Sequence, residues 1–167
     1  MLPLIRTLFA ISLLRKGPED IPHSWLLFYL CAALWLFGLV AMTRLMQNFG
    51  AHEAWIGVAS WVLGLVCYVF VLAISGHNSR TLQTLTALIG VGAIITIVML
   101  AELVLLTPVL GVNIANLCAV LVLFWSVPVK GHIIARAIEQ HWYLGIVIAM
   151  FVFVLQFAFT STLTPEP

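Results

Sequence analysis

The chain has 167 residues, 63% of them hydrophobic and 8% charged, with a formal net charge of +1 and a mean hydropathy of +1.17. Soluble domains run near half apolar and a quarter charged, so an ordinary globular domain is excluded, and so is disorder, which needs the opposite balance. Near-neutral charge without a basic run offers nothing to a phosphate backbone, so nucleic acid is not an expected partner.

The first stretch, residues 1–24, sets Leu2, Leu4, Ile5, Leu8, Phe9, Leu13 and Leu14 beside Arg6, Arg15 and Lys16. It is too short to cross a bilayer and lacks the small-residue cleavage site of a signal peptide. It reads as an amphipathic helix in the inner interface, stopped at Gly17-Pro18, with a frayed tail as the alternative. Asp20 and Ser24 are candidate caps for the turn into the first span.

Five apolar segments follow, near 25–42, 55–75, 84–106, 112–127 and 142–160, all within residues 25–162. A hydrocarbon core about 30 Å thick takes roughly 20 residues of helix, and backbone in lipid must satisfy its own N–H and C=O groups. Each segment therefore predicts a transmembrane helix, and continuous apolar runs exclude a membrane barrel. The expected fold class is all-α: a polytopic bundle of about five helices plus the N-terminal interfacial helix, with 163–167 a short outer tail. The fourth segment is the shortest; it begins with Asn113 and Asn116 and meets Pro128. A four-span reading leaves it re-entrant. Beyond it, Lys130–Gln140 reads as a short amphipathic extension, kinked at Pro128, with Ile133, Ile134 and Ile138 on one face.

Lys and Arg set orientation. With five spans and an inner N-terminus, the inner side receives Arg6, Arg15, Lys16, Arg80, Lys130 and Arg136, and the outer side only Arg44. Trp25, Trp125, Trp142 and Tyr143 then fall near the inner headgroups and Trp55 near the outer ones. Arg6, Arg15, Lys16, Lys130 and Arg136 are candidates to contact anionic lipid or a partner protein. Ser60-x-x-x-Gly64, Gly90-x-Gly92 and Ala115-x-x-x-Ala119 offer small-residue faces for close helix approach, within the chain, with another membrane protein or in self-association.

Side chains with chemistry are few. Cys31, Cys67 and Cys118 lie inside predicted helices without a CxxC pair and read as packing residues. His23, His52, His77, His132 and His141 lie in loops or at helix ends, too shallow for a buried haem. Four of them share the inner face with Asp20 and Glu139, but the spacing matches no zinc motif, so neither metal nor cofactor is expected. Glu102 is the only acid inside a span, and a charge at the bilayer centre costs about 3 kcal/mol on insertion scales. It lies within about one and a half turns of the outer surface. Ser60, Asn113, Asn116 and Gln156 fall in the same outer third.

Two readings of this polar group compete. In one, the residues hydrogen-bond between helices and hold the bundle together. In the other, they line an outward-facing pocket around Glu102, Asn113 and Asn116 for a small solute, an ion or a lipid headgroup. The first is preferred, because a crossing pathway needs polar residues at inner depths and only Thr96 and Ser126 qualify. No nucleotide loop, HExxH, GxSxG or second intramembrane acid is present, so no enzyme is expected.

The run Arg15-Lys16-Gly17-Pro18-Glu19-Asp20-Ile21-Pro22, followed at once by a Trp- and Leu-rich span, resembles the start of small proteobacterial inner-membrane proteins, some grouped with the Yip1-like family. The five-span plan and inner N-terminus are similar too. Eukaryotic members carry an acidic-Leu-x-Gly-Pro pattern, whereas here Arg15-Lys16 precedes Gly17-Pro18. The resemblance implies a bacterial inner-membrane location, N-terminus cytoplasmic and C-terminus periplasmic. It also implies a non-enzymatic accessory or organising role, without catalytic residues.

Overall fold

Once the backbone must bond to itself, each long apolar run has one solution, and the chain adopts it. The computed structural model describes residues 2–45 and 51–163. Its long helices are α2 (Trp25–Leu45), α3 (Ala51–Ile74), α4 (Thr81–Leu105), α6 (Val112–Ala137) and α7 (Trp142–Leu163). A short α1 (Leu2–Ser12) precedes them, and a single turn, α5 (Thr107–Leu110), lies between α4 and α6. Five helices are long and apolar enough to cross a membrane, and no strand occurs among the described residues. The protein has the architecture of an all-α, multi-pass membrane bundle. Of the expected outer tail, all but Leu163 lies outside the described residues.

The connections at 13–24, 75–80 and 138–141 share one end of the bundle, here called proximal. The α4–α6 connection lies at the opposite, distal end. The outward faces are apolar: Phe37, Phe70, Phe151 and Phe157 are each more than 60% exposed. That inverts the pattern of a water-soluble protein and suits a lipid solvent.

Helix α4 is central. Ala87, Leu88, Ile89, Val91 and Ala93 are buried on all sides of it, with α1, α2, α3 and α6 as neighbours. Gly90 makes room for Leu8 of α1 and Cys31 of α2, and Gly92 for Trp35 and Trp61. Those two indoles stack at 4.1 Å and join α2 to α3. Helices α6 and α7 run antiparallel and touch backbone to backbone: a Cβ built on Gly145 would run into the Gly131 carbonyl oxygen.

Several boundaries shift by a few residues, α3 beginning early enough to take in Glu53, and two differ enough to change the reading. The fourth span does not end at Pro128; α6 runs through it as one helix of 26 residues. Proline costs a helix interior about 3 kcal/mol, yet membrane helices tolerate it where neighbours re-satisfy the freed groups. Here the turns beyond Pro128 are core: Val129, Ile133, Ile134 and Ala137 are fully buried. The expected extension does continue the fourth helix, and its apolar face, Ile133, Ile134 and Ile138, is packed into the bundle. Helix α1 stops at Ser12 rather than at Gly17-Pro18, because Leu14 takes a left-handed φ of 61°. The Arg15 N–H then bonds back to the Ala10 carbonyl, closing the last turn. Leu8 and Ile11 are buried against the bundle, and the Trp125 indole donates to the Ser12 carbonyl at 3.2 Å. Trp125 thus lies midway along α6, against the end of α1.

Candidate functional site

The polar side chains expected to share the outer third fall into two groups, not one. The helix pairing decides this: α3 packs on α7, whereas α4 packs on α2 and α6. A shared depth in sequence does not fix which neighbours a residue meets.

The first group surrounds Glu102, near the distal end of α4. Gly111, with φ of 80°, reverses the chain after α5 and lays the start of α6 beside α4. Between α2, α4 and α6 this leaves a cavity of about 120 Å³ lined by Met42, Met99, Glu102, Thr107 and Asn116 among others. Glu102 is 6% exposed, and both its carboxyl oxygens are buried without a hydrogen-bond partner. Asn113 is exposed at the start of α6 and does not line this cavity. So Glu102 and Asn116 come together, and Asn113 stays apart.

The second group joins α3 to α7. The Gln156 amide donates to the Ser60 carbonyl at 2.8 Å, and the Ser60 hydroxyl faces the Gln156 carbonyl at a long 3.5 Å. Gly64 is what lets Gln156 in, since a Cβ there would sit 2.5 Å from the amide nitrogen. The Ser60-x-x-x-Gly64 face is thus spent inside the chain. Beside this pair lies a larger cleft of about 260 Å³ between α3, α6 and α7, and Lys130 lines it.

Lys130 differs from the other basic candidates in lining a cleft between helices. Ending the fourth span at Pro128 put it on the membrane surface with the other basic residues. In the continuous α6 it lies about 10 Å short of the proximal helix end, at 1.5 Å per residue. The hydroxyl of Tyr68, which the sequence did not single out, is buried nearby without a partner. The signal was available in the heptad spacing of Trp61 and Tyr68, which sets both on the face of α3 that carries Ser60 and Gly64.

No known protein family, curated protein or solved structure matches this chain.

The remaining basic candidates lie at or toward the proximal end. Arg136 is paired with Glu19 of the 13–24 loop at 3.2 Å, so its charge does not stand free. Arg80 pairs likewise with Glu139. The loop is pinned further by the His132 ring at the Lys16 carbonyl, 3.1 Å, and by the Gln83 amide donating to the Ile21 carbonyl, 2.8 Å. Arg6, Arg15 and Lys16 are exposed. Among the described residues no three His, Cys, Asp or Glu side chains converge as a metal site would require.

Proposed function

We propose that this multi-pass protein resides in a bacterial cytoplasmic membrane with its proximal end inward, and handles a small cationic or polar solute at Glu102. The observation that carries this reading is the pair of buried, unpartnered carboxyl oxygens facing a cavity. A residue that knits helices together has its polar atoms bonded, as Gln156 does; buried groups left unpaired call for a further explanation. Within a membrane an ionisable residue with that geometry is a binding or transport group by default. The carboxylate would take the charge, with the Asn116 amide, the Thr107 hydroxyl and the Met42 and Met99 thioethers as softer contacts.

Glu102→Gln and Glu102→Leu test this in purified protein, by thermal shift with sodium, potassium and methylammonium, and by uptake into proteoliposomes. The expected result is loss of ligand-dependent stabilisation and uptake in both variants. Glu102→Leu should also unfold at the same or a higher temperature than the parent, because it removes an uncompensated buried acid. A drop of several degrees in both variants, with no ligand effect in the parent, would return Glu102 to a purely structural role.

A second reading is the accessory or organising role that the Yip1-like resemblance implies. The exposed Arg6, Arg15 and Lys16 favour it, each basic residue near an anionic surface adding about 1 kcal/mol of attraction. Charge reversal, Arg15→Glu with Lys16→Glu, should then strip co-purifying protein or anionic lipid while leaving uptake unchanged.

A further inference from the structure

We propose that the cleft between α3, α6 and α7 is a second, independent binding site, for an anionic amphiphile whose headgroup pairs with the Lys130 ammonium. The cleft contains no acid: its lining is Lys130, Ser60, Gln156 and Thr160 with Gly57 and apolar side chains. Ser60 and Gln156 are engaged with each other. No hydrogen bond or ion pair reaches the Lys130 ammonium from the described residues. An ammonium in a low-dielectric setting needs a counter-charge, and this chain supplies none there.

Snorkelling does not remove the requirement. Side chains on a helix lean toward its N-terminus, which for α6 is the distal end. Lys130 therefore leans deeper into the membrane, away from the nearer proximal surface. Its neighbours in the cleft agree, since Leu123 and Gln156 lie toward the distal side of it and Arg136 is not among them.

The walls fix the rest of the ligand. Trp61, Leu123, Phe153 and Phe157 give the cleft an apolar lining, and Leu123 and Phe157 are also exposed on the outward face of the bundle. At about 260 Å³ it is slightly smaller than the roughly 300–1,000 Å³ of drug-sized pockets. It would hold a compact anionic head, a carboxylate or a phosphate monoester, with the first part of a hydrocarbon chain. A single-tailed anionic amphiphile fits this; a two-tailed lipid fits only with one chain outside. Glu102 plays no part in the argument, so this site stands or falls separately from the one above.

The test uses the full chain in a non-ionic detergent, with laurate, dodecyl phosphate, dodecyltrimethylammonium and inorganic phosphate as probes. Binding is read by thermal shift and by quenching of Trp61 with a brominated fatty acid, with Trp61→Phe as the reference. Laurate or dodecyl phosphate should stabilise the parent and quench Trp61, and the cationic amphiphile should do neither. Lys130→Met should weaken that binding about tenfold or more, as loss of one charge-assisted contact predicts. Lys130→Arg, which keeps the charge, should retain it within about threefold. Equal binding by the parent and Lys130→Met would overturn the proposal, and so would no binding to the parent. Stabilisation by inorganic phosphate as strong as by dodecyl phosphate would overturn the amphiphile assignment in favour of a free anion. If Lys130→Met fails to fold, Lys130→Gln with the quenching readout decides the same question.

Discussion

Gly145 and Gly57 are both helical glycines, yet their surroundings demand opposite outcomes on substitution. A methyl group on Gly145 would run into the Gly131 carbonyl and the Ala135 side chain, whereas one on Gly57 meets nothing within 4 Å. Backbone cannot step aside as a side chain can. Gly145→Ala should therefore cost about 1–3 kcal/mol, typical of forced overpacking. Gly57→Ala should be neutral or stabilising by up to about 1 kcal/mol, the usual gain of alanine over glycine in a helix. Unfolding temperatures of the two variants in the same detergent check the contrast. The sequence motifs pointed to Ser60-x-x-x-Gly64 and Gly90-x-Gly92, and both serve packing. Gly131 and Gly145 belong to no local motif: each does its work against the other, across a turn between two helices. A pair of single glycines in separate spans has no signature until the helices are brought together.

At the scale of elements, the 13–24 loop shows which contacts hold and which only decorate. The Glu19–Arg136 pair is about half exposed on both sides, and exposed ion pairs contribute at most about 1 kcal/mol. The Gln83 bond to the carbonyl of Ile21 is part-buried at 2.8 Å, and Ile21 itself is 0% exposed. Orphaning a buried carbonyl costs about 1–3 kcal/mol. Gln83→Leu should thus loosen the loop more than Glu19→Gln, seen as faster amide exchange over residues 13–24. The reverse ranking would mean that charge, not burial, pins this segment. Nothing in the loop's own sequence says that its carbonyls will be met by α4 and α6. What was legible in the chain was the existence of five spans, because continuous apolar runs admit one secondary structure in lipid. The end of the fourth was illegible because Pro128 is a strong local stop signal, and tertiary burial of Ile133 and Ile134 overrides it.

For the whole molecule, the difference between the expected single polar cluster and the two observed cavities follows from rotation about helix axes. Depth can be counted along a sequence; azimuth cannot. Ser60, Glu102 and Gln156 are all found on the distal side of the bundle, but the α3–α7 pairing draws Ser60 and Gln156 away from Glu102. The same rotation brings Asn116, Leu123 and Lys130, spaced by sevens, onto nearly one stripe of α6, so a single helix serves both cavities. The five-helix plan carries its own check. Reporter fusions after Arg80 and after Gly111 should read from opposite compartments, with the Arg80 fusion inside. Both reporting from one side would remove α4 from the membrane and the two cavities with it.

The central position of α4 bears on how the chain is made. Its partners α1, α2 and α3 precede it in synthesis, but α6 follows, so one flank of α4 waits in contact with lipid until translation catches up. Thr84, Thr86 and Thr96 would be a burden during that wait if their hydroxyls depended on later helices. They do not: each donates to the carbonyl four residues earlier in the chain, at 2.7–2.9 Å. The segment destined to be most deeply enclosed thus arrives with these threonine hydroxyls already satisfied, and Glu102 is left as the group that must wait for its surroundings.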